Sequence, residues 1–120
     1  MQVYDSVSEI IGKTPLVRLK GFGENLYGKC EFLNPSHSIK DRAAYAMIKK
    51  ALDEAHISKE TTIIECTSGN MGISLAMICA TLGLKIILTM PESMSIERRK
   101  MMALFGAKLE LTPASEGMKG

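Results

Sequence analysis

A lysine, Lys40, lies where the sequence predicts the start of a helix, and a lysine in that position can serve nucleophilic chemistry. The segment NPSHSIKDR at residues 34–42 passes from a turn broken by Pro into apolar residues at helical spacing. A helix dipole disfavours a cation in its first turn by about 0.3–1 kcal/mol, so the neutral, nucleophilic amine is easier to form there. A solvated Lys40 paired with Asp41 or another carboxylate is the simpler interpretation of these residues alone.

A second candidate site is the turn TSGN at residues 67–70, between a β-branched segment and an apolar one. Ligands of open α/β sheets bind outside the carboxyl ends of the strands. Hydroxyls, an amide and the unpaired N–H groups of a helix N-terminus suit a carboxylate or a phosphate, and Gly69 lets the backbone approach a ligand closely. An ordinary N-cap turn has the same composition, so the pattern alone leaves both interpretations open.

Other classes of site have less support. The two histidines show no metal-ligand spacing, and the three cysteines suggest neither a metal site nor a disulfide framework. No GxGxxG, Walker A or GxSxG motif is present. The net charge is +2, and basic and acidic residues are interleaved, so no basic stripe suited to binding nucleic acid is present. No apolar run is long enough to span a membrane. We expect a cytoplasmic protein with reduced thiols, in which Cys66 is a buried thiol at a strand end.

The elements that must position these residues follow from hydrophobic spacing and from Gly and Pro. We expect a short helix within residues 1–11, strands at 16–19 and 26–32, and a helix from 38 to about 55 with Ser36 or Ser38 as its N-cap. Strands at 61–66, 85–90 and 108–112 then alternate with helices at 71–82 and 95–105, before a loop at 113–120.

This alternation predicts an α/β fold, an open parallel sheet flanked by helices and joined by right-handed crossovers. A parallel sheet needs helices on both faces, and the predicted helices are too few to guarantee that. We therefore interpret the chain as a piece of a longer protein or as one domain of it.

Five segments together resemble the cysteine synthase (O-acetylserine sulfhydrylase) family of fold-type-II pyridoxal-phosphate (PLP) enzymes. They occur in the family's order and are IGKTPLVRL, KCEFLNPSHSIKDRAA, TSGNMGISLA, MPESMSIERRKMMALFGAKLELT and GMKG. The KDR and MPE-MS-ERR forms favour this branch over the related serine and threonine dehydratases. The resemblance implies a small, mobile α/β domain at residues 35–120. It also implies that residues 1–34 pack on a larger domain, which would lie in an absent C-terminal remainder.

The resemblance also implies roles for individual residues. Lys40 matches the lysine that binds PLP covalently and later carries the α-proton, and Asn70 matches the amide that hydrogen-bonds the cofactor. The loop that grips the substrate carboxylate corresponds to Thr67, Ser68, Gly69 and Met71. The implied reaction is β-replacement, in which O-acetylserine and sulfide give cysteine and acetate and PLP acts as the electron sink.

Two departures from the family bear on the substrate. Met71 stands where the family usually has Thr, and the TSGNMG form resembles the β-cyanoalanine synthase branch. His37 replaces a small residue. Cystathionine β-synthase-like activity is a further alternative. The resemblance also implies a homodimer and a complex with serine acetyltransferase.

Because the implied phosphate-binding loop lies beyond these residues, we expect the isolated chain to be inactive. A non-catalytic module that binds a carboxylate tail is the alternative of another class.

Overall fold

The computed structural model describes residues 1–67 and 69–120, and its N-terminal part is a small antiparallel ribbon. Strand β1 (Leu16–Arg18) pairs with β2 (Tyr27–Lys29). Short 3-10 helices precede, separate and follow the two strands, at Val7–Ile10, Lys20–Phe22 and Glu31–Leu33. This segment leads directly into the first α-helix.

The rest of the chain alternates helices and strands. Its elements are α1 (Lys40–Asp53), β3 (Thr62–Cys66), α2 (Asn70–Leu82), β4 (Lys85–Pro91), α3 (Ile96–Leu104) and β5 (Lys108–Thr112), followed by a 3-10 helix at Ala114–Lys119. Gly83 ends α2 in the left-handed conformation at φ 68°, which glycine adopts without steric cost. The side chain of Ser95 accepts a hydrogen bond from the Arg98 N–H at 3.4 Å and so caps α3.

Strands β3, β4 and β5 form a parallel sheet in that spatial order. Helices α2 and α3 contact each other, as expected if both connections are right-handed, since that hand places the two helices on the same face of the sheet. Helix α1 packs against α2. The predicted fold class, an open parallel sheet flanked by helices, is therefore confirmed.

The core lies between this face of the sheet and the helices. Helix α2 is its centre, because it is buried from Gly72 to Cys79. Alternate residues of β4 point at it, and α1 and α3 add side chains to the same cluster. The fully or almost fully buried members are Ala44, Ala76, Ile78, Cys79, Leu88, Met90 and Met102. On the opposite face Ile64 is 65% exposed, so helices cover one face more completely than the other.

The observed elements differ from the sequence predictions mainly near the N-terminus. The helix expected within residues 1–11 is a single 3-10 turn, and the second strand ends at Lys29 rather than at residue 32. Helix α1 begins at Lys40 with Ile39 as its N-cap. The prediction of Ser36 or Ser38 as N-cap was wrong, since Ser36 instead donates its hydroxyl to Asp41. No helix among the described residues has both the length and the apolar character that crossing a membrane requires.

Candidate functional site

Lys40 is the first residue of α1, and its side chain is exposed. Its backbone N–H donates to the Ser38 hydroxyl at 3.1 Å, so Ser38 satisfies one of the unpaired amides of the helix end although it is not the N-cap. The ion pairs among residues 1–67 and 69–120 do not include Lys40. In the simpler interpretation Lys40 is solvated and paired with Asp41 or another carboxylate; the described residues bear out the solvation but show no such ion pair.

His37, within the loop before Lys40, adopts a left-handed backbone conformation with φ 63°. Few non-glycine residues occupy this region, although His is among those enriched there. Two hydrogen bonds hold it: the His37 N–H donates to the Asn34 carbonyl at 2.8 Å, and Nδ1 lies 3.1 Å from the Phe32 carbonyl oxygen.

Asp41 points in the opposite sense to Lys40 and is completely buried. Its Oδ2 accepts the Ser36 N–H at 2.8 Å, and its Oδ1 accepts the hydroxyls of Ser36 and of Ser74, the latter at 2.6 Å. The two serine hydroxyls also lie 3.0 Å apart. Ser74 belongs to α2, so a single carboxylate joins the lysine loop to the neighbouring helix.

Arg42 links α1 to the N-terminal segment. Its Nε and Nη2 bind the two carboxylate oxygens of Glu31, each at 2.8 Å. Nη2 also donates to the Gly12 carbonyl at 2.9 Å and to the Thr14 hydroxyl at 3.2 Å. A paired guanidinium and carboxylate of this geometry form one of the stronger polar contacts in proteins. The KDR tripeptide thus contributes an exposed amine from Lys40, a buried carboxylate from Asp41 and a guanidinium from Arg42 that binds the N-terminal segment.

The environment of Glu31 is built to keep it ionised. The pKa of Glu31 is lowered from 4.5 to about 2. Hydrogen bonds from Arg42 are the largest cause, burial opposes the shift, and hydrogen bonds from Asn34 and Thr14 contribute further to it. Reciprocally, the hydrogen bond to Glu31 raises the pKa of Arg42. Asn34 is 1% exposed and accepts the Gly12 N–H through Oδ1 at 2.9 Å, so it ties the same two segments together.

The turn at the carboxyl end of β3 presents the N-terminus of α2. Thr67 is buried, and its Oγ1 accepts the N–H groups of Gly69 at 3.4 Å and Gly72 at 3.0 Å. The hydroxyl oxygen therefore caps the helix from inside. Asn70, the first residue of α2, is exposed, and Met71 is half-buried. Ser68, the remaining residue of the predicted carboxylate loop, lies outside the described residues.

Gly72 is required by the packing beneath this turn. A Cβ at this position would overlap Thr67 Cγ2 and would lie 3.0 Å from Thr67 Oγ1 and 3.0 Å from Met102 Cε. Glycine lets the first turn of α2 sit directly on Thr67. The approach holds the helix N-terminus against the end of β3.

The remaining candidates carry less chemistry. Cys66 is exposed rather than buried, because it ends the edge strand β3, and its thiol donates to the Met118 carbonyl at 3.8 Å. Cys79 is buried, and burial raises the pKa of its thiol to about 11. In the described part of the chain, no three His, Cys, Asp or Glu side chains converge as metal ligands.

The structure thus brings the two sequence-predicted segments together through Asp41 and Ser74. Lys40, Thr67, Gly69, Asn70 and Met71 remain the predicted site residues, and the residues that connect the two segments were not predicted from the sequence. A signal was present, since Ser74 interrupts an otherwise apolar helix and a buried hydroxyl needs a partner.

Comparisons with known proteins show similarity over nearly the whole chain. A family model described as "Pyridoxal-phosphate dependent enzyme" matches residues 7–119. The chain is 70% identical over 120 residues to cysteine synthase B of Campylobacter jejuni, covering 100% of this chain and 40% of that protein.

Two solved structures are similar in fold. Cysteine synthase from Entamoeba histolytica matches with a TM-score of 0.92 at 38% identity, over 99% of this chain and 38% of the other. The O-acetylserine dependent cystathionine beta-synthase from Helicobacter pylori matches with a TM-score of 0.87 at 36% identity, over 100% of this chain and 41% of the other. The chain thus spans well under half the length of these proteins.

Proposed function

The chain belongs to the family of pyridoxal-phosphate dependent enzymes, and on this premise we propose that it is the N-terminal part of a cysteine synthase. The proposed reaction is β-replacement, which converts O-acetylserine and sulfide to cysteine and acetate. The observation that carries the proposal is the 70% identity to cysteine synthase B over all 120 residues. The hydrogen bond between Asp41 of the lysine segment and Ser74 of α2, which connects the two candidate site segments, also supports it.

The residues present fit a PLP site chemically. Lys40 offers an exposed primary amine for the cofactor's aldehyde carbon, and Asn70 offers an exposed amide at a helix N-terminus for the cofactor's 3′-oxygen. PLP, when bound, supplies the electron sink that makes loss of an α-proton and a β-substituent feasible. Lys40 Nζ would hold the cofactor and then carry the α-proton of the substrate.

The N-terminus of α2 is proposed to bind the substrate carboxylate. Its first N–H groups and the positive end of the helix dipole attract an anion. Gly69 keeps the approach open, and Ser68 would add a hydroxyl. Thr67 Oγ1 already accepts two backbone N–H groups, so its contribution is to hold the turn in place.

The exposed surface of the N-terminal segment supports the proposed domain organisation, in which residues 1–34 pack on a larger domain and 35–120 form the small one. Large apolar side chains in this segment are unusually exposed: Leu16 is 64%, Phe22 81% and Phe32 62% exposed. Exposed apolar groups of this number mark a surface that another part of a protein covers. The remainder of the relatives' length would supply that cover and the cradle for the PLP phosphate.

A second candidate activity rests on Met71. A Met at this position offers no hydroxyl to the carboxylate, and a lost hydrogen bond to a charged group costs about 1.5–3 kcal/mol. The proposed alternatives are β-cyanoalanine synthase and cystathionine β-synthase-like activity. The fold does not choose between these activities, because the chain matches the O-acetylserine dependent cystathionine beta-synthase at TM-score 0.87 and the Entamoeba histolytica cysteine synthase at 0.92. We also propose that the protein is a cytoplasmic homodimer able to bind serine acetyltransferase.

Steady-state assays of the full-length protein test the proposal. O-acetylserine would be offered with sulfide or homocysteine, and cysteine with cyanide, beside the Lys40→Ala variant. We expect cysteine formation from O-acetylserine and sulfide to have the highest kcat/KM and to disappear in Lys40→Ala. The Met71→Thr variant should raise kcat/KM for O-acetylserine. A highest kcat/KM with cysteine and cyanide would replace the proposal by the β-cyanoalanine synthase alternative.

A further inference from the structure

A buried carboxylate with only uncharged donors lies between α1 and α2. Asp41 and Ser74 are both 0% exposed. Asp41 receives the N–H and the hydroxyl of Ser36 on one side and the Ser74 hydroxyl, at 2.6 Å, on the other. Among the described residues Asp41 forms no ion pair.

Such a carboxylate tolerates little displacement. A buried charge is costly unless hydrogen bonds satisfy it, and here the donors come from two separate segments. Asp41 also lies in the first turn of α1, where the helix dipole favours a negative charge. Its hydrogen bonds are therefore all formed only when the lysine loop, α1 and α2 keep one relative arrangement.

These contacts lie next to the two candidate site residues in the chain. Asp41 directly follows Lys40, and Ser74 lies one turn beyond Asn70 on α2. The first turn of α2 is held in addition by Thr67, whose Oγ1 accepts the Gly72 N–H at 3.0 Å. The loop with the amine and the helix end with the anion site are thus fixed to each other through one hydrogen-bonded joint.

We infer that Asp41 is a positioning residue, which sets Lys40 relative to the Asn70 end of α2 through Ser74. The inference rests on the proposed function for the roles of Lys40 and Asn70. It goes beyond that function by assigning their relative placement to a carboxylate that touches neither substrate nor cofactor. The Asp41–Ser74 contact makes the two site segments move as one unit.

The test uses the full-length protein free of PLP and three variants: Asp41→Asn, Ser74→Ala and the control Leu84→Ala. Leu84 is 8% exposed and precedes β4 at the opposite end of the sheet from the site, so its truncation lowers stability without touching the joint. Hydrogen exchange would be followed at the His37 N–H, which is bonded within the lysine loop, and at the Gly72 N–H of α2.

We expect Ser74→Ala to accelerate exchange at His37 by about ten- to a hundredfold, the scale expected for one lost hydrogen bond to a charged group. Asp41→Asn should accelerate exchange at both His37 and Gly72, whereas Leu84→Ala should change neither beyond its global effect. With PLP and substrate restored, Ser74→Ala should lower kcat more than it raises KM. Unchanged exchange at His37 in Ser74→Ala would overturn the inference, because Asp41 would then serve only its own loop.

Failure of the inference and failure of the proposed function remain separable. The exchange measurement needs no cofactor, so it reports the coupling whatever reaction the protein catalyses. Absence of a Lys40-dependent PLP absorbance band in the wild type would refute the proposed role of Lys40 instead. If Asp41→Asn does not fold, Ser74→Ala alone decides, since it keeps the carboxylate and removes one donor from the far helix.

Discussion

The Gly72→Ala substitution probes the packing that places the N-terminus of α2 against β3. The new methyl group would overlap Thr67 Cγ2 and approach Thr67 Oγ1 and Met102 Cε to 3.0 Å each. Thr67 is 4% exposed and its hydroxyl oxygen accepts two backbone N–H groups. It can make room only by rotating away from those donors.

Three effects set the size of the change. Overpacking a well-filled interior costs about 1–3 kcal/mol, and losing a side-chain cap costs about 1 kcal/mol. In the other direction, Ala is favoured over Gly inside a helix by about 1 kcal/mol. We therefore expect Gly72→Ala to destabilise the protein by about 1–3 kcal/mol, although the same change at an open helical site would stabilise it.

Urea denaturation and hydrogen exchange of α2 amides in the full-length protein measure this. Gly21→Ala is the matched control, because a Cβ there meets no atom within 4 Å, and its effect should stay within about 0.5 kcal/mol. A Gly72→Ala protein as stable as the wild type, or more stable, would refute the packing argument. That result would mean that Thr67 can move aside without lowering the stability of the protein.

Three further predictions concern ionisation and completeness. Because the folded-state pKa of Glu31 is lowered from 4.5 to about 2, its stabilising contribution is complete above pH 4.5 and is lost as the pH falls toward 2; urea midpoints of wild type and Glu31→Gln should converge across that window, and a constant difference would contradict it. Cys79, with a buried thiol of pKa about 11, should react with iodoacetamide at pH 8 far more slowly than exposed Cys66, as mass spectrometry would show; equal rates would contradict the burial. The 120 residues alone should lose PLP on dialysis and catalyse no sulfide-dependent turnover, and robust turnover would show that the phosphate cradle is dispensable.

The sequence was most informative where spacing decides the structure. Alternation of β-branched strands with apolar helices predicted β3, α2, β4, α3 and β5 to within one or two residues. Gly83 and Ser95 marked helix ends for reasons of backbone conformation and capping that local sequence contains. The order of these elements then determined a parallel sheet with both crossover helices on one face.

Contacts between distant segments could not be predicted from the spacing of residues along the sequence. The sequence does not indicate that Asp41 accepts a hydrogen bond from Ser74, 33 residues further along the chain. Nor does it indicate that Arg42 donates to the carbonyl of Gly12, 30 residues before it. A charged triplet following a turn suggests a solvated helix start, whereas Asp41 is fully buried. Tertiary burial overrides such local preferences, and these contacts place the candidate site residues.

The most direct test of the account is to locate the PLP-bound lysine. The full-length protein would be reduced with borohydride in the presence of PLP, digested, and analysed by mass spectrometry, beside the Lys40→Ala variant. We predict a single modified peptide that carries PLP on Lys40, together with a visible absorbance band that is lost in the variant. Modification of a different lysine, or a band that persists in Lys40→Ala, would contradict it.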